Sequence, residues 1–415
     1  MKKYGCIGKK LTHSFSKEIH MKLADYNYEL IELTEQEIVE FFENKDFAGV
    51  NVTIPYKQTV IPYLDSVSDI AKRIGAVNTV VNKNGKLFGY NTDYYGMKAL
   101  IERIGLDLEG KKVLILGTGG TSKTAQTVAA DMGAYPILTV SRTKSDEYIS
   151  YEEAISIHSD AKIIINTTPS GMYPDVQSKP IDISGLKGLE GVVDAIYNPL
   201  CTNLVLDAKS KGIKAEGGLY MLVMQAVVAA EKFLDTKIGK DVVDKVFSST
   251  LLSKQNIILT GMPGSGKSTV GKLIDIDGFK FIDTDTEIEK RCGCTIKDLI
   301  TTKGEEYFRN LESEVIGDIS AKNSQIISTG GGAVLREENV RLLKQNGKLF
   351  FIDAKFDRLC ASETRPLSNT QEKLAKLYDA RINIYKNTAD IIVPDMDTPL
   401  SEAEYILTKR METIQ

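Results

Sequence analysis

Residues Gly261 to Ser268 read Gly-Met-Pro-Gly-Ser-Gly-Lys-Ser and match the spacing G-x-x-x-x-G-K-[ST]. A turn of that kind aims backbone N–H groups at phosphate oxygens. It sets an ammonium, Lys267, beside the transferring phosphates and leaves a hydroxyl, Ser268, for Mg²⁺. Further on, Phe281-Ile-Asp283-Thr-Asp285 offers two carboxylates two residues apart. As the end of a strand they share a face, where one orders Mg²⁺ through water and the other accepts a proton from an attacking hydroxyl. Asp285 has a second reading as a helix cap. The triple glycine Gly330-Gly331-Gly332 lets backbone approach a flat polar ligand, and Arg358, Arg365 and Arg381, though isolated arginines are usually solvated, suit a nucleoside triphosphate and an acidic acceptor when three fall in one P-loop domain.

A second glycine turn, Gly117-Thr-Gly119-Gly120-Thr-Ser122, has the character of a dinucleotide fingerprint with serine at its third position. About 20 residues past such a turn a ribose-reading carboxylate is expected, but this chain has Ser141-Arg142-Thr143, followed by Lys144. A guanidinium there suits a 2′-phosphate, so the pattern favours NADP(H) over NAD(H). Nearer the N-terminus, Ser14 and Ser16 either hold a carboxylate from one face of an extended segment or cap the helix that follows. Lys57, just past Pro55, either projects into a cleft or lies solvated at the surface. Asp93 is a cleft group or a helix cap, and Gln225 either lines a cleft or sits at its helix surface.

These residues need elements to hold them. Apolar runs at Tyr4–Gly8, Val50–Ile54, Val113–Leu116, Ile137–Val140, Lys162–Asn166 and Ile257–Leu259 are read as strands. Helices are expected over Tyr94–Ile104, Lys123–Met132 and from just after Leu222 to Phe233, and Asn78 is expected on a strand. After Arg142 only a few residues precede an apparent strand near Tyr148–Tyr151, far fewer than the 10 or so of a usual parallel crossover. Ser248–Gln255 is read as a short polar connector without a Gly/Pro tract.

A chain of 415 residues calls for two to four domains. With 42% hydrophobic residues, 26% charged and a net charge of −4, it has no general pull toward nucleic acid or anionic membrane, which argues against a P-loop motor on nucleic acid. Met1–Gly8 lacks the apolar core of a signal peptide and no run approaches a membrane span, so a cytoplasmic address is expected. Cys6, Cys201, Cys292, Cys294 and Cys360 form no disulfide framework, and reduced thiols without a role are expected.

Taken in order, the motifs through residue 250 resemble shikimate dehydrogenase, and those from 256 to about 395 resemble shikimate kinase. The resemblance implies an α/β fold class. An N-terminal α/β substrate domain would span 1–100, with 218–250 returning to it, and a Rossmann-like NADP-binding domain would span 101–217. A P-loop kinase domain with a parallel sheet would follow over 254–415. In the first half the resemblance implies that Ser14 and Ser16 hold a substrate carboxylate and that Thr53, Asn78, Thr92 and Gln225 contact the ring or its hydroxyls. Tyr197 would be another substrate contact, and Lys57 and Asp93 the catalytic pair. Gly117, Gly119, Gly120, Ser141, Arg142 and Thr143 fall to the dinucleotide.

In the second half it implies that Asp285, Arg309, Gly331, Gly332 and Arg381 bind shikimate, with Asp285 also the base. Gly264, Ser265, Gly266, Lys267, Ser268 and Thr269 would hold ATP, Ser268 and Asp283 would hold Mg²⁺, and Lys267 would act on the phosphates. Arg358 would lie near adenine and Arg365 would close from a lid around Cys360–Thr370. The expected function is thus bifunctional: NADPH reduces 3-dehydroshikimate to shikimate and ATP phosphorylates shikimate. The alternatives are one half that is regulatory and inactive, or action on quinate or a related hydroxylated carboxylic acid.

Overall fold

The computed structural model describes residues 3–11, 15–143, 145–359 and 369–412. Ser14, Lys144, Cys360 and Arg365 lie outside them. The chain divides into two compact units, residues 1–250 and 251–415.

The first unit holds two sheets. Strands β1 (Tyr4–Gly8), β2 (Tyr28–Glu32), β3 (Gly49–Val52), β4 (Ser66–Val67), β5 (Thr79–Lys83) and β6 (Lys86–Tyr90) run in the order β2-β1-β3-β5-β6-β4. β1 is parallel to β2 and β3, whereas β5 is antiparallel to both β3 and β6. Ile7, Val50, Val52, Val80 and Leu87 bury one apolar cluster against Ile38 and Phe42 of the helix Glu35–Asn44.

Strands β7 (Val113–Leu116), β8 (Ile137–Ser141), β9 (Ile149–Ser150), β10 (Ile163–Asn166), β11 (Gly191–Asp194) and β12 (Lys214–Glu216) form the second sheet, ordered β12-β11-β10-β7-β8-β9. Every pairing in it is parallel. This is the doubly wound order, in which ligands bind outside the carboxyl ends of the strands where the winding reverses, here between β7 and β10. Val113–Leu116 and Ile163–Ile165 are wholly buried, as a strand covered on both faces requires.

The crossover from β8 to β9 is short. β9 pairs in parallel with β8 at Val140↔Ile149 and Ser141↔Ser150, and no helix stands among the described residues between them. The helix Tyr151–Ser156 comes after β9, with Ser150 accepting from Glu153 N at its cap. The strand near Tyr148–Tyr151 is therefore present and trimmed to two residues.

Two helices bring the first unit's side chains together. Asp93–Arg103 and Leu219–Leu234 cross so closely that a Cβ on Gly96 would stand 2.4 Å from the Met221 carbonyl oxygen. Only a residue without a side chain allows that approach. The dinucleotide helix starts at Gly120 and runs to Asp131, absorbing part of the glycine turn ahead of the expected Lys123.

In the second unit β13 (Asn256–Thr260), β14 (Lys280–Asp283), β15 (Gln325–Ser328), β16 (Gly347–Asp353) and β17 (Ile391–Pro394) form one parallel sheet ordered β14-β15-β13-β16-β17. β13 is central and runs straight into Gly261. Three expectations need correction. Ser248–Gln255 is not a loose connector, because the helix Lys240–Lys254 runs through it, burying Val243, Val246, Phe247 and Thr250 along one face. Asp283 and Asp285 do not share a strand face either: β14 ends at Asp283, and Asp285 lies in the first turn of the helix Thr284–Cys292. Asp283, not Asp285, caps that helix, accepting from the N–H groups of Asp285 and Thr286. Asn78 likewise sits just ahead of β5 instead of on it.

Candidate active sites

In the first unit a cavity of about 630 Å³ is lined by Ser16, Asn51, Thr53, Lys57, Asn78, Asp93, Tyr197 and Gln225, with Thr121 of the glycine turn and Met221 on the same wall. The dinucleotide turn and the polar ring-binding candidates thus open onto one space. The Lys57 ammonium donates to Asp93 Oδ2 at 2.6 Å, both side chains being largely covered. Asp93 is the first residue of its helix and gives no side-chain cap. Asn91 does the local work by accepting from Tyr94 N at 3.2 Å. The cleft readings of Lys57 and Asp93 therefore hold over the surface and cap readings. Gln225 is 8% exposed, which rules out its surface reading, and it donates to the Leu222 carbonyl at 2.8 Å.

Thr92 differs from its expected role. It is fully buried and is not on the cavity wall. Its N–H donates to Asn78 Oδ1 at 2.6 Å and its hydroxyl lies 3.1 Å from that of Thr79, so it holds Asn78 in place. Asn51, which the sequence reading left out, belongs to the same network: Tyr28 donates to its Oδ1 at 2.6 Å and its amide donates to Thr79 at 3.0 Å. Its spacing of two from Thr53 on an alternating segment was the available signal. Lys10, also on the wall, carried none, since Lys9-Lys10 reads as ordinary surface.

Ser16 opens the helix Ser16–Leu23. The Phe15 ring meets that of Tyr197, with centroids 5.3 Å apart. Tyr197 follows a loop tied by Asp194, a fully buried carboxyl that accepts from Asn166 Nδ2 at 2.9 Å, Ile196 N at 3.0 Å and Thr202 Oγ1 at 2.7 Å. Burial pushes Asp194 up to about 6 against those three bonds.

Gly117 has φ of 101°, and a Cβ there would press within 3.0 Å of Thr168. Around Gly119 and Gly120 the space is open, and the helix they begin has no side-chain cap, which leaves its first N–H groups available to a pyrophosphate. Ser141 ends β8, where its hydroxyl accepts from Thr143 N at 3.1 Å, and Arg142 and Thr143 are exposed beside it. These residues fit a dinucleotide carrying an extra phosphate.

The second unit has its own cavity, of about 300 Å³, lined by Gly264, Lys267, Ser268, Asp283, Asp285, Arg309, Glu312, Gly330–Gly332 and Arg381. Lys267 is buried and donates to the carbonyls of Gly261 at 3.0 Å and Met262 at 2.9 Å. Ser268 donates to Asp283 Oδ2 at 2.6 Å. That hydroxyl and carboxylate are hard oxygen donors on the wall next to Lys267, a set suited to Mg²⁺ holding phosphate oxygens. Burial pushes Asp285 up to about 6, helped by the nearby charges of Asp283 and Glu312.

Arg309 donates to Glu312 at 2.7 Å and to Glu305 at 3.2 Å, and Arg381 donates to the Gly331 carbonyl at 3.0 Å, an oxygen that Tyr385 also binds. Burial works against the Arg381 charge and lowers its pKa from the usual guanidinium value. The glycines are fitted to these groups. A Cβ on Gly332 would lie 2.2 Å from the Arg309 guanidinium, and one on Gly330 2.6 Å from Asp285 and 2.7 Å from Glu312.

Gly266 and Ser265 shape the turn, with φ of 88° at Gly266 and Ser265 buried beneath it, while Thr269 is exposed on the following helix. None of these three is on the cavity wall, and neither is Arg358. Arg358 is held away by Asp395 at 2.5 Å and the Met396 carbonyl at 2.7 Å. Glu312, fully buried and three residues past Arg309, was missed, although an i,i+3 pair on one helix was the readable sign. Ile296, Ile300, Phe308 and Leu377 also line this cavity and look in sequence like any helix core.

A doubly wound sheet opening onto a lysine–aspartate cavity defines a dinucleotide-dependent oxidoreductase, and the second unit is a P-loop phosphotransferase. The family models match both: "Shikimate dehydrogenase substrate binding domain" over residues 6–80 and "Shikimate kinase" over residues 263–414. A shikimate dehydrogenase (NADP(+)) of Clostridium perfringens is 40% identical over 265 residues, covering 60% of this chain and 97% of its own.

The crystal structure of shikimate dehydrogenase 1 from Peptoclostridium difficile superposes with a TM-score of 0.56 at 38% identity, covering 60% of this chain and 98% of its own. That of the Thermus thermophilus enzyme in complex with NADP(H) and shikimate has a TM-score of 0.54 at 27% identity, covering 60% and 99%. The chain belongs to the shikimate dehydrogenase family and carries a shikimate kinase domain behind that unit, which makes it a bifunctional enzyme of the shikimate pathway. No helix among the described residues is long and apolar enough to cross a membrane.

Proposed function

We propose that the first unit reduces 3-dehydroshikimate to shikimate and that the second phosphorylates shikimate at its 3-hydroxyl, with NADPH and ATP·Mg²⁺ as the co-reactants and the cytoplasm as the setting. The observation that carries this reading is the pairing, inside each unit, of a phosphate-cradling turn with a proton-transfer group on one cavity wall: Thr121 with Lys57–Asp93, and Lys267–Ser268 with Asp285.

In the first cavity NADPH would supply the hydride. Lys57, held by Asp93, donates a proton to the oxygen that becomes an alkoxide. Ser16 binds the ring carboxylate, in company with Ser14, and Thr53, Asn78, Tyr197 and Gln225 orient the ring. Thr92 and Asn51 fix Asn78 from behind. Gly117, Gly119, Gly120 and the Ser141–Thr143 corner bind the dinucleotide.

In the second cavity Arg309 and Arg381 clamp the carboxylate of shikimate, while Gly331 and Gly332 allow the ring close to backbone. Asp285 accepts the proton of the attacking hydroxyl, and a carboxyl pushed up to about 6 is both ionised at neutral pH and basic enough for that task. Lys267 exchanges the carbonyls of its own loop for phosphate oxygens. Ser268 and Asp283 would hold Mg²⁺, which when bound neutralises charge between the phosphates.

The test supplies 3-dehydroshikimate, NADPH, ATP and Mg²⁺ and follows loss of NADPH absorbance together with ADP release, omitting each component in turn. ADP release should depend on prior NADPH oxidation unless shikimate itself is added. Equal turnover of an analogue lacking the ring carboxylate would contradict the substrate assignment.

A further inference from the structure

We propose that Cys292 and Cys294 form a dithiol modification site that low-molecular-weight disulfides oxidise reversibly, and that its closure weakens acceptor binding in the second cavity. The second clause rests on the kinase reading above, whereas the first does not.

Cys292 ends the helix Thr284–Cys292, Gly293 turns the chain with φ of 69°, and Thr295 caps the next helix, Ile296–Lys303. Within that turn the Cys294 thiol donates to Cys292 Sγ at 3.5 Å, and both side chains are partly exposed. A disulfide requires about 2.05 Å between sulfurs, so closure asks for an approach of about 1.5 Å across a glycine-containing turn. No other described cysteine has this arrangement: Cys6 is buried with its thiol pushed up to about 12 by burial, and Cys201 belongs to the first unit. A thiol so protonated and enclosed is a poor nucleophile.

The chemistry is thiol–disulfide exchange. One cysteine thiolate attacks a sulfur of the reagent RSSR, forming a mixed disulfide and releasing RS⁻. The other thiolate then attacks the protein sulfur of that mixed disulfide, forming the Cys292–Cys294 bond and releasing the second RS⁻. Both protons lost from the protein end on two RSH, and the electron pair goes with them. An exposed bond in so small a ring belongs to the labile class, open to reduction by excess thiol.

The turn is mechanically tied to the cavity. Asp285 and Glu289 on the helix before it, and Ile296 and Ile300 on the helix after it, all line the wall. Glu289 Oε1 accepts from Ile296 N at 3.0 Å, bridging the turn, and the Glu289 carbonyl accepts from Gly293 N at 2.9 Å. Drawing the two sulfurs together moves both ends of that bridge, and with them the wall facing the acceptor.

The test incubates the full chain with oxidised glutathione and with excess dithiothreitol, then maps disulfides by mass spectrometry and measures both activities. The expected result is a mass lower by about 2 Da in the peptide holding Cys292 and Cys294, reversed by dithiothreitol. The kinase KM for its acceptor should rise about threefold or more with the reductase unchanged, and Cys294→Ser should abolish the response. Absence of that bond, its formation only between chains, or an unaltered acceptor KM once it has formed would each overturn the proposal. A reduced enzyme with no kinase activity would count against the kinase reading alone, because the mass measurement stands independently of it.

Discussion

The ammonium of Lys57 touches one partner that matters for proton transfer, Asp93 Oδ2 at 2.6 Å, and both border the cavity that reaches the dinucleotide turn. Replacing it by methionine keeps the stem and removes the proton, so Lys57→Met should lower the reductase kcat by roughly 10²- to 10⁴-fold, the usual weight of a general acid. A stopped-flow NADPH trace with unchanged circular dichroism checks this, and retention of full rate would remove Lys57 from the chemistry. Asp285 leads to a prediction with a definite sign. Its pKa is raised to about 6 by burial and by the neighbouring carboxylates, and a base works only when ionised. The kinase kcat/KM for acceptor should therefore be constant above pH 7 and fall tenfold per unit below about pH 6. Measured at saturating ATP, a limb centred near the ordinary aspartate value would contradict the role. By the same shift, protonated Asp285 stabilises the fold fully below the unfolded pKa, and that contribution is lost as pH rises through about 6.

At the scale of elements, function depends on how closely backbones approach. Gly96 lets the helix that begins with Asp93 lie against the helix carrying Met221 and Gln225, since a methyl there would meet the Met221 carbonyl at 2.4 Å. Gly96→Ala should cost about 1–3 kcal/mol of stability, as overpacking does, and raise the reductase KM, read by urea unfolding and steady-state kinetics. Gly332→Ala pushes a methyl into the Arg309 guanidinium, so the acceptor KM of the kinase should rise while the reductase is untouched. If that KM were unchanged, Arg309 would not be a carboxylate clamp.

This scale also marks what could be read from the chain. The all-apolar strands Val113–Leu116 and Ile257–Leu259 and the two glycine turns were legible because a buried parallel strand and a phosphate turn each impose a local pattern. Asp283 as the cap in place of Asp285, and Thr92 behind Asn78 instead of on the wall, were not. Each was settled by one or two residues of strand end or by contacts from distant segments, which leave no periodic trace. The helix through Ser248–Gln255 was hidden by its polar exposed face, although Val243, Val246, Phe247 and Thr250 repeat at helical spacing.

The whole molecule carries two chemistries, and each cavity is lined wholly from its own unit. Loss of one should leave the other. Lys267→Ala should abolish phosphate transfer, while the reductase rate on supplied 3-dehydroshikimate stays within about twofold of normal, and Lys57→Met should show the converse on supplied shikimate. Assaying both activities on both full-length variants checks this, and a shared fall would mean the two steps are energetically coupled. The abrupt passage from β8 to β9 bears on something else, the ease with which the enzyme's taste in carriers can drift. Arg142 and Thr143 are exposed where the strand ends, and the helix Tyr151–Ser156 comes only after β9. If those two residues read the carrier's extra phosphate, a preference for the phosphorylated nicotinamide carrier over the plain one would be rewritten at the rim of the sheet, side chain by side chain, while the scaffold beneath stays as it was.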